Sequence, residues 1–385
     1  MRIALIGQKG IPAQFGGVEK HVEELSTRLA KTGQTVLVYC RRWYTPTNIN
    51  VHQGVYLVHA PTIHTKHLDA IVHTVISTLH AMFIARVDVI HYHGVGPALV
   101  AWLPRVFTPR SRVVVTFHCI DRQHQKWGRF ARLMLRAGEW AAVTFAHRTI
   151  TVSQTLQAYC EREYHAATCY IPNGVTLPAE SVATEALATW QLTSGEYFIA
   201  VSRLVRHKAI HNLIEAFRQV PTTKKLVIVG GSAFTDRYVA ELHALADDDP
   251  RIVFTGYQHG AALQQLFSHA YAFIHPSESE GLPITVLEAM SFSKAVIASN
   301  IPEHREVVGQ SGILFAVGSP TDLADKIQHA LDYPERLEAL GERGRMIVAE
   351  KYNWDDIVKH TTALYTAIMI GVEPMEMTAK PALRW

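Results

Sequence analysis

Short apolar runs alternate with stretches of helical length along most of the chain. In the first half the runs fall at 3–7, 35–40, 55–60, 88–93, 112–118 and 148–153, with helix-length segments at 18–31, 66–85, 96–107 and 128–145. Continuous rather than alternating apolar runs are what strands buried on both faces of a parallel sheet require, so the pattern predicts successive βαβ units. The segment Ile171-Pro172-Asn173-Gly174-Val175-Thr176-Leu177-Pro178 concentrates turn formers and predicts a domain link. The pattern then restarts, with runs at 197–202, 225–230, 251–255, 272–275, 295–299 and 312–315. From 323 to about 370 it predicts three helices without strands, broken near Asp332-Tyr333-Pro334 and Lys351-Tyr352-Asn353. The expected architecture is α/β, with two Rossmann-like doubly wound domains at 1–172 and 173–352. A helix at 353–370 is expected to cross back to the first domain, followed by a loosely held tail at 371–385.

Composition narrows the class. A length of 385 residues exceeds what one core serves, and 48% hydrophobic with 18% charged residues describes a packed globular chain. A net charge of +3 is too mild for a nucleic-acid binder. The four cysteines show neither paired nor zinc-ligand spacing, which predicts free thiols in a reducing, cytoplasmic setting. The apolar stretch 72–84 is interrupted by His73, Ser77 and His80, so no membrane span is expected.

Three segments carry candidate chemistry. Gly7-Gln8-Lys9-Gly10-Ile11-Pro12-Ala13-Gln14-Phe15-Gly16-Gly17-Val18-Glu19 follows the first strand and opens the first helix, where Gly16 and Gly17 allow close backbone approach to a ligand or a purely structural turn. Ser202-Arg203-Leu204-Val205-Arg206-His207-Lys208 follows the first strand of the second half and sets Arg203 and Lys208 five residues apart, as a diphosphate clamp or as a solvated basic turn. His275-Pro276-Ser277-Glu278-Ser279-Glu280-Gly281-Leu282-Pro283-Ile284-Thr285-Val286-Leu287-Glu288 reads as strand, turn and helix. It places Glu280 in the turn and Glu288 on the helix, where carboxylates accept hydroxyl hydrogen bonds or serve as a helix start and a surface ion pair.

The last segment resembles the E-x7-E element of retaining glycosyltransferase family 4, whose fold is GT-B, two Rossmann-like domains facing a central cleft. Gly16-Gly17, His118, Asn173-Gly174, Arg203 with Lys208, and Glu280 with Glu288 follow that family's order. Val114-Val115-Thr116-Phe117-His118, followed by Asp121 and Lys126-Trp127, is similar to a bacterial branch that builds surface polysaccharides, some members using rhamnose or mannose donors. The resemblance implies that Arg203 and Lys208 bind the donor diphosphate, Glu280 the sugar hydroxyls and Glu288 the ribose. It puts His118 on the donor sugar and Tyr257 near the nucleobase, with Gly16, Gly17, Asn173, Gly281, Leu282 and Pro283 around the donor; Pro283 itself has no N–H to give. Ala209 and Cys119 depart from the family pattern, standing where many relatives have Gly.

The implied reaction is retaining, metal-independent transfer from a nucleotide-diphosphate sugar to a glycan or lipid-linked acceptor, without cofactor or metal. Two alternatives remain, a nucleotide-sugar epimerase of the same architecture and a non-catalytic sugar-nucleotide binding protein. Asp247-Asp248-Asp249 before Pro250 reads as a solvated acidic turn, and the 22 histidines show no metal-binding spacing. The segment from Lys126 to Arg136 places Arg129, Arg132 and Arg136 on one helix face, fitting either an anionic membrane surface, with the enzyme peripheral on the inner face of the cytoplasmic membrane, or ordinary helix packing.

Overall fold

The computed structural model describes residues 1–63, 65, 68–123, 128–178 and 182–372. The chain divides into two compact units, one running to Asn173 and resuming at Trp354, the other spanning Gly174–Asn353.

Among the described residues the first unit holds an eight-stranded sheet. Its strands are β1 (Arg2–Ile6), β2 (Thr35–Arg41), β3 (Val51–His52), β4 (Val55–Ala60), β5 (Val89–His93), β6 (Arg112–Phe117), β7 (Arg148–Thr151) and β8 (Cys169–Tyr170). They lie in the order β3-β4-β2-β1-β5-β6-β7-β8. Every pairing is parallel except the β3–β4 hairpin, where Val51 faces Tyr56. Both faces of β1 are buried. Ile3 and Leu5 pack with Val22, Leu25 and Leu29 of the helix Gly17–Lys31 and with Trp354 and Leu364 of the helix Trp354–Ile370. Ala4 and Ile6 pack with Met82, Ala98, Ala101 and Ala142 on the opposite layer. That two-sided burial is why the strand reads as an unbroken apolar run, and truncating Leu5 to Ala would cost about 2–5 kcal/mol.

The opposite layer is less regular than its sequence suggests. The expected helix over 66–85 is the helix Leu68–Leu79 followed by a π-turn, His80–Ile84, and the expected 96–107 helix is split into Val95–Ala98 and Trp102–Phe107. The helix Arg129–Phe145 crosses this layer at Gly138, where an added Cβ would lie 2.2 Å from the Val95 carbonyl oxygen. The short strands β3 and β8 and the helix Gln154–Tyr164 were not apparent in the pattern; Ser153 caps that helix by accepting the Leu156 N–H at 3.2 Å.

The second unit carries six strands among its described residues, in the order β11-β10-β9-β12-β13-β14 and all parallel. These are β9 (Tyr197–Val201), β10 (Lys225–Val229), β11 (Ile252–Gly256), β12 (Ala272–His275), β13 (Val296–Ser299) and β14 (Gly312–Phe315). The predicted helical region follows as Pro320–Asp332 and Pro334–Lys351, each opening on the proline that suits a first helical turn. Gly230, just past β10, has φ +145°, and a Cβ there would lie 1.8 Å from the Ser202 carbonyl oxygen. The chain leaving β9 and the chain leaving β10 therefore touch, and this is the edge on which the candidate residues collect.

Candidate functional site

Loops at the carboxyl ends of the strands are where open α/β sheets hold ligands. In the second unit the loops after β9 and β12 are tied together there. The Glu278 N–H donates to the His207 carbonyl at 2.8 Å, and the Ser277 hydroxyl donates to the same oxygen at 3.3 Å. This lacing brings Lys208 and Glu280 into an ion pair although they lie 72 residues apart in sequence. His275 Nε2 lies 2.8 Å from the same Glu280 oxygen, and His304 packs edge-on to His275 with ring centroids 5.2 Å apart. Burial by itself would raise the Glu280 carboxyl, but the Lys208 ammonium and the His275 ring outweigh it and hold the group well below the usual carboxylate range. His304 is pushed down to about 3 by burial, with neighbouring His275 adding to the effect, so its ring is neutral.

Lys208 thus already has a carboxylate partner. Arg203, in contrast, makes no ion pair among the described residues and stands near Tyr257. The Tyr257 hydroxyl donates to the carbonyls of Gly231 and Ser232 at 3.1 and 3.0 Å, which anchors the loop after β11 to the loop after β10. Glu288 is nearly buried on the helix Ile284–Ser291, which starts directly after Pro283; Leu282 is buried beside it. Ala209 closes the Lys208 turn with φ +50°, fully buried, in the left-handed region that side chains adopt at a cost. That backbone explains why glycine suits the position.

The first unit gathers its own set. Gly16, with φ +105°, precedes the helix that begins at Gly17, and a Cβ on Gly16 would lie 2.0 Å from Glu19 Oε2. Five residues on, His21 meets His93 at the end of β5 and His118 just past β6. His93 Nδ1 lies 3.1 Å from His118 Nε2, so one of the two must donate. Asn173 is buried at the end of this unit's first segment rather than at the start of the second unit. Burial lowers His21 to about 4, with neighbouring Asn173 opposing, and lowers His93 and His118 well below their ordinary range, so all three are neutral at pH 7. With Nε2 engaged by His93, a neutral His118 has Nδ1 left, which offers a hydroxyl either an N–H or a lone pair according to the tautomer. His118 and Cys119 lie just past the end of β6, and the Cys119 thiol donates to Asp121 Oδ1 at 3.5 Å.

Spacing could not have revealed two further properties. Among the described residues, His21 with His93 and His118, and His275 with Glu280 and His304, each offer ligand atoms within 4.8 Å of one another. Their geometry can hold a divalent ion, although the partners come from separate segments and form no linear motif. A groove of about 1840 Å³ in the first unit, lined by Arg28, Arg148, Cys169, Lys359 and Ile370 among others, shares no residue with the histidine cluster. Lys126, Trp127 and the tail from 373 lie outside the described residues.

Comparison with known proteins accounts for both halves. The model described as "Glycosyltransferase Family 4" matches residues 15–178, and that described as "Glycosyl transferases group 1" matches residues 189–346. The chain is a glycosyltransferase of GT-B architecture. This glycosyltransferase is similar to O-antigen chain mannosyltransferase C of Escherichia coli, with 25% identity covering 96% of this chain and 99% of that one. Its fold matches a sucrose-phosphate synthase from Thermosynechococcus elongatus at a TM-score of 0.83, with 23% identity and coverage of 96% and 99%. It also matches Anabaena HepE in complex with UDP-glucose at 0.79, with 21% identity and coverage of 95% and 100%.

Proposed function

We propose that the enzyme is a retaining, metal-independent glycosyltransferase that moves a sugar from a nucleotide-diphosphate donor to a glycan or lipid-linked acceptor in surface-polysaccharide biosynthesis. The observation that carries the reading is the pair of cations after β9: Arg203, which makes no ion pair among the described residues, and Lys208, held in place by Glu280 from the loop after β12. Arg203 offers a planar fork to phosphate oxygens and Lys208 a compact charge, so the negative charge that grows on a departing diphosphate meets preorganised cations. The acceptor hydroxyl attacks on the face the diphosphate leaves, and a phosphate oxygen takes its proton. Glu280 accepts hydrogen bonds from sugar hydroxyls, Glu288 from the ribose, and His118 contacts the sugar. The mannosyltransferase relative and the UDP-glucose complex of HepE support a sugar nucleotide as donor. The test is a panel of nucleotide sugars screened by thermal shift, where a ligand at 100 times its Kd adds about 2.7 kcal/mol, followed by transfer assays with and without acceptor. Acceptor-dependent release of nucleoside diphosphate, with an anomeric proton of unchanged configuration in the product, is expected. Isomerisation of the donor without acceptor would identify an epimerase, and donor binding without turnover a silent binding protein.

A further inference from the structure

Three imidazoles meet in the first unit with no carboxylate in the group. His21 lies on the helix Gly17–Lys31, His93 ends β5 and His118 follows β6, and none is more than 9% exposed. One nitrogen from each ring lies within 4.8 Å of the other two. His93 Nδ1 and His118 Nε2 are 3.1 Å apart. A tetrahedral Zn²⁺ bound to imidazoles at about 2.0–2.1 Å sets its ligand nitrogens roughly 3.3 Å apart, so two of the rings already stand near ligand spacing.

Neighbouring His91 is a histidine whose polar atoms are fully used by the core. Its Nδ1 lies 2.6 Å from the Tyr365 hydroxyl and its Nε2 2.7 Å from Thr116 Oγ1. His21 Nδ1 and His93 Nε2, in contrast, are buried with no hydrogen-bond partner among the described residues. Leaving such atoms unpaired is costly, and an apolar core gains nothing by gathering three imidazoles. His91 stacks on His93 with ring centroids 4.2 Å apart, and Trp354 covers His21 at 5.5 Å, so the rings sit in a dry aromatic surround of the kind that supports metal ligands. The group of His275, Glu280 and His304 is not equivalent, because one Glu280 oxygen already meets both Lys208 and His275. Imidazole nitrogens suit transition metals such as zinc, whereas Mg²⁺ takes oxygen ligands.

We propose that His21, His93 and His118 form a three-nitrogen site for Zn²⁺, with a fourth position open to water, and that the bound ion inhibits transfer. An ion held on His118 with its water competes with the donor sugar for that ring; the inhibition therefore rests on the reading that His118 meets the sugar, and the binding does not. The experiment frees the full chain of metal by dialysis against EDTA, then titrates it with Co²⁺, whose visible spectrum reports coordination, and with Zn²⁺ and Mg²⁺ by calorimetry. One tight site is expected, showing the strong bands of four-coordinate Co²⁺, which Zn²⁺ abolishes and Mg²⁺ does not. His21→Gln should weaken Zn²⁺ binding at least about 100-fold, since even an outer partner of a metal ligand contributes roughly 10–100-fold, and its melting temperature in EDTA should match wild type. His304→Gln should leave the site intact. In transfer assays Zn²⁺ at about ten times its Kd should raise the donor KM roughly 10-fold with kcat unchanged, as mass action requires, and EDTA should reverse the effect. The weak spectrum of six-coordinate Co²⁺, equal binding of Mg²⁺, loss of the site in His304→Gln, or an unchanged donor KM with the site filled would overturn the proposal. The wild-type spectrum decides the coordination even where His21→Gln does not fold. Metal binding is read without donor, so a chain that shows the Co²⁺ bands but transfers no sugar refutes the transferase reading, and active transfer without the bands refutes the metal site.

Discussion

Replacing Lys208 with alanine should do more than slow turnover. The ammonium and the Glu280 carboxylate are both nearly buried, so the variant leaves a carboxylate with His275 as its remaining close partner. Breaking a buried pair from one side costs about 3–5 kcal/mol, and the surviving His275 contact argues for the lower end. For a unit the size of Gly174–Asn353, each kcal/mol moves the melting temperature about 2–4 °C, which gives a loss of roughly 10 °C. The pH dependence separates this cause from a packing defect. In the wild type the Glu280 carboxyl sits below its ordinary value, so its contribution is present above about pH 4.3 and is lost as pH falls through the folded value. Without Lys208, burial becomes the main influence and raises the carboxyl, so lowering the pH from 7 to 5 should partly rescue the variant. Scanning calorimetry at pH 7, 6 and 5, with Lys208→Met/Glu280→Gln as the charge-free control, measures both effects. The control should be more stable than Lys208→Ala at pH 7. A variant within about 2 °C of wild type, or a gap that does not change with pH, would refute the reasoning.

Arg203→Ala should lower turnover by about 10²-fold or more, because losing one preorganised charge at a leaving group typically costs ~2.7–4 kcal/mol, while calorimetry shows an unchanged melting temperature; wild-type kinetics would remove Arg203 from the donor site. Excess EDTA should leave transfer intact, and loss of activity restored by a divalent ion would instead point to the histidine groups around His118 or Glu280 as metal ligands. Ala209→Gly should raise the melting temperature slightly, since the left-handed conformation costs alanine about 1–2 kcal/mol and glycine's extra chain entropy returns roughly 0.5–1 of it; a decrease would mean that the methyl group packs well enough to outweigh the backbone.

The two parallel sheets were legible from sequence because strands buried on both faces need unbroken apolar runs, and β4, β12 and β14 have the bounds those runs suggest. The breaks between the last three helices were legible for a related reason, since Pro334 and the Tyr352-Asn353 turn interrupt the periodic pattern. The GT-B assignment rested on local order, with Arg203, Lys208, Glu280 and Glu288 each at a strand end or in the following turn or helix. Tertiary structure decided which of these groups meet. Lys208 reads as a free phosphate-binding cation until the backbone bonds from Ser277 and Glu278 to His207 bring Glu280 against it. His21, His93 and His118 come from a helix, a strand end and a loop, so no spacing rule finds them, and their neutrality follows from burial that the sequence does not display. The exposure of Phe130 and Leu133 depends likewise on which helix face the sheet leaves uncovered. Periodicity reports that a helix has an apolar side, and packing alone determines whether that side is used inside the protein or left for something outside it.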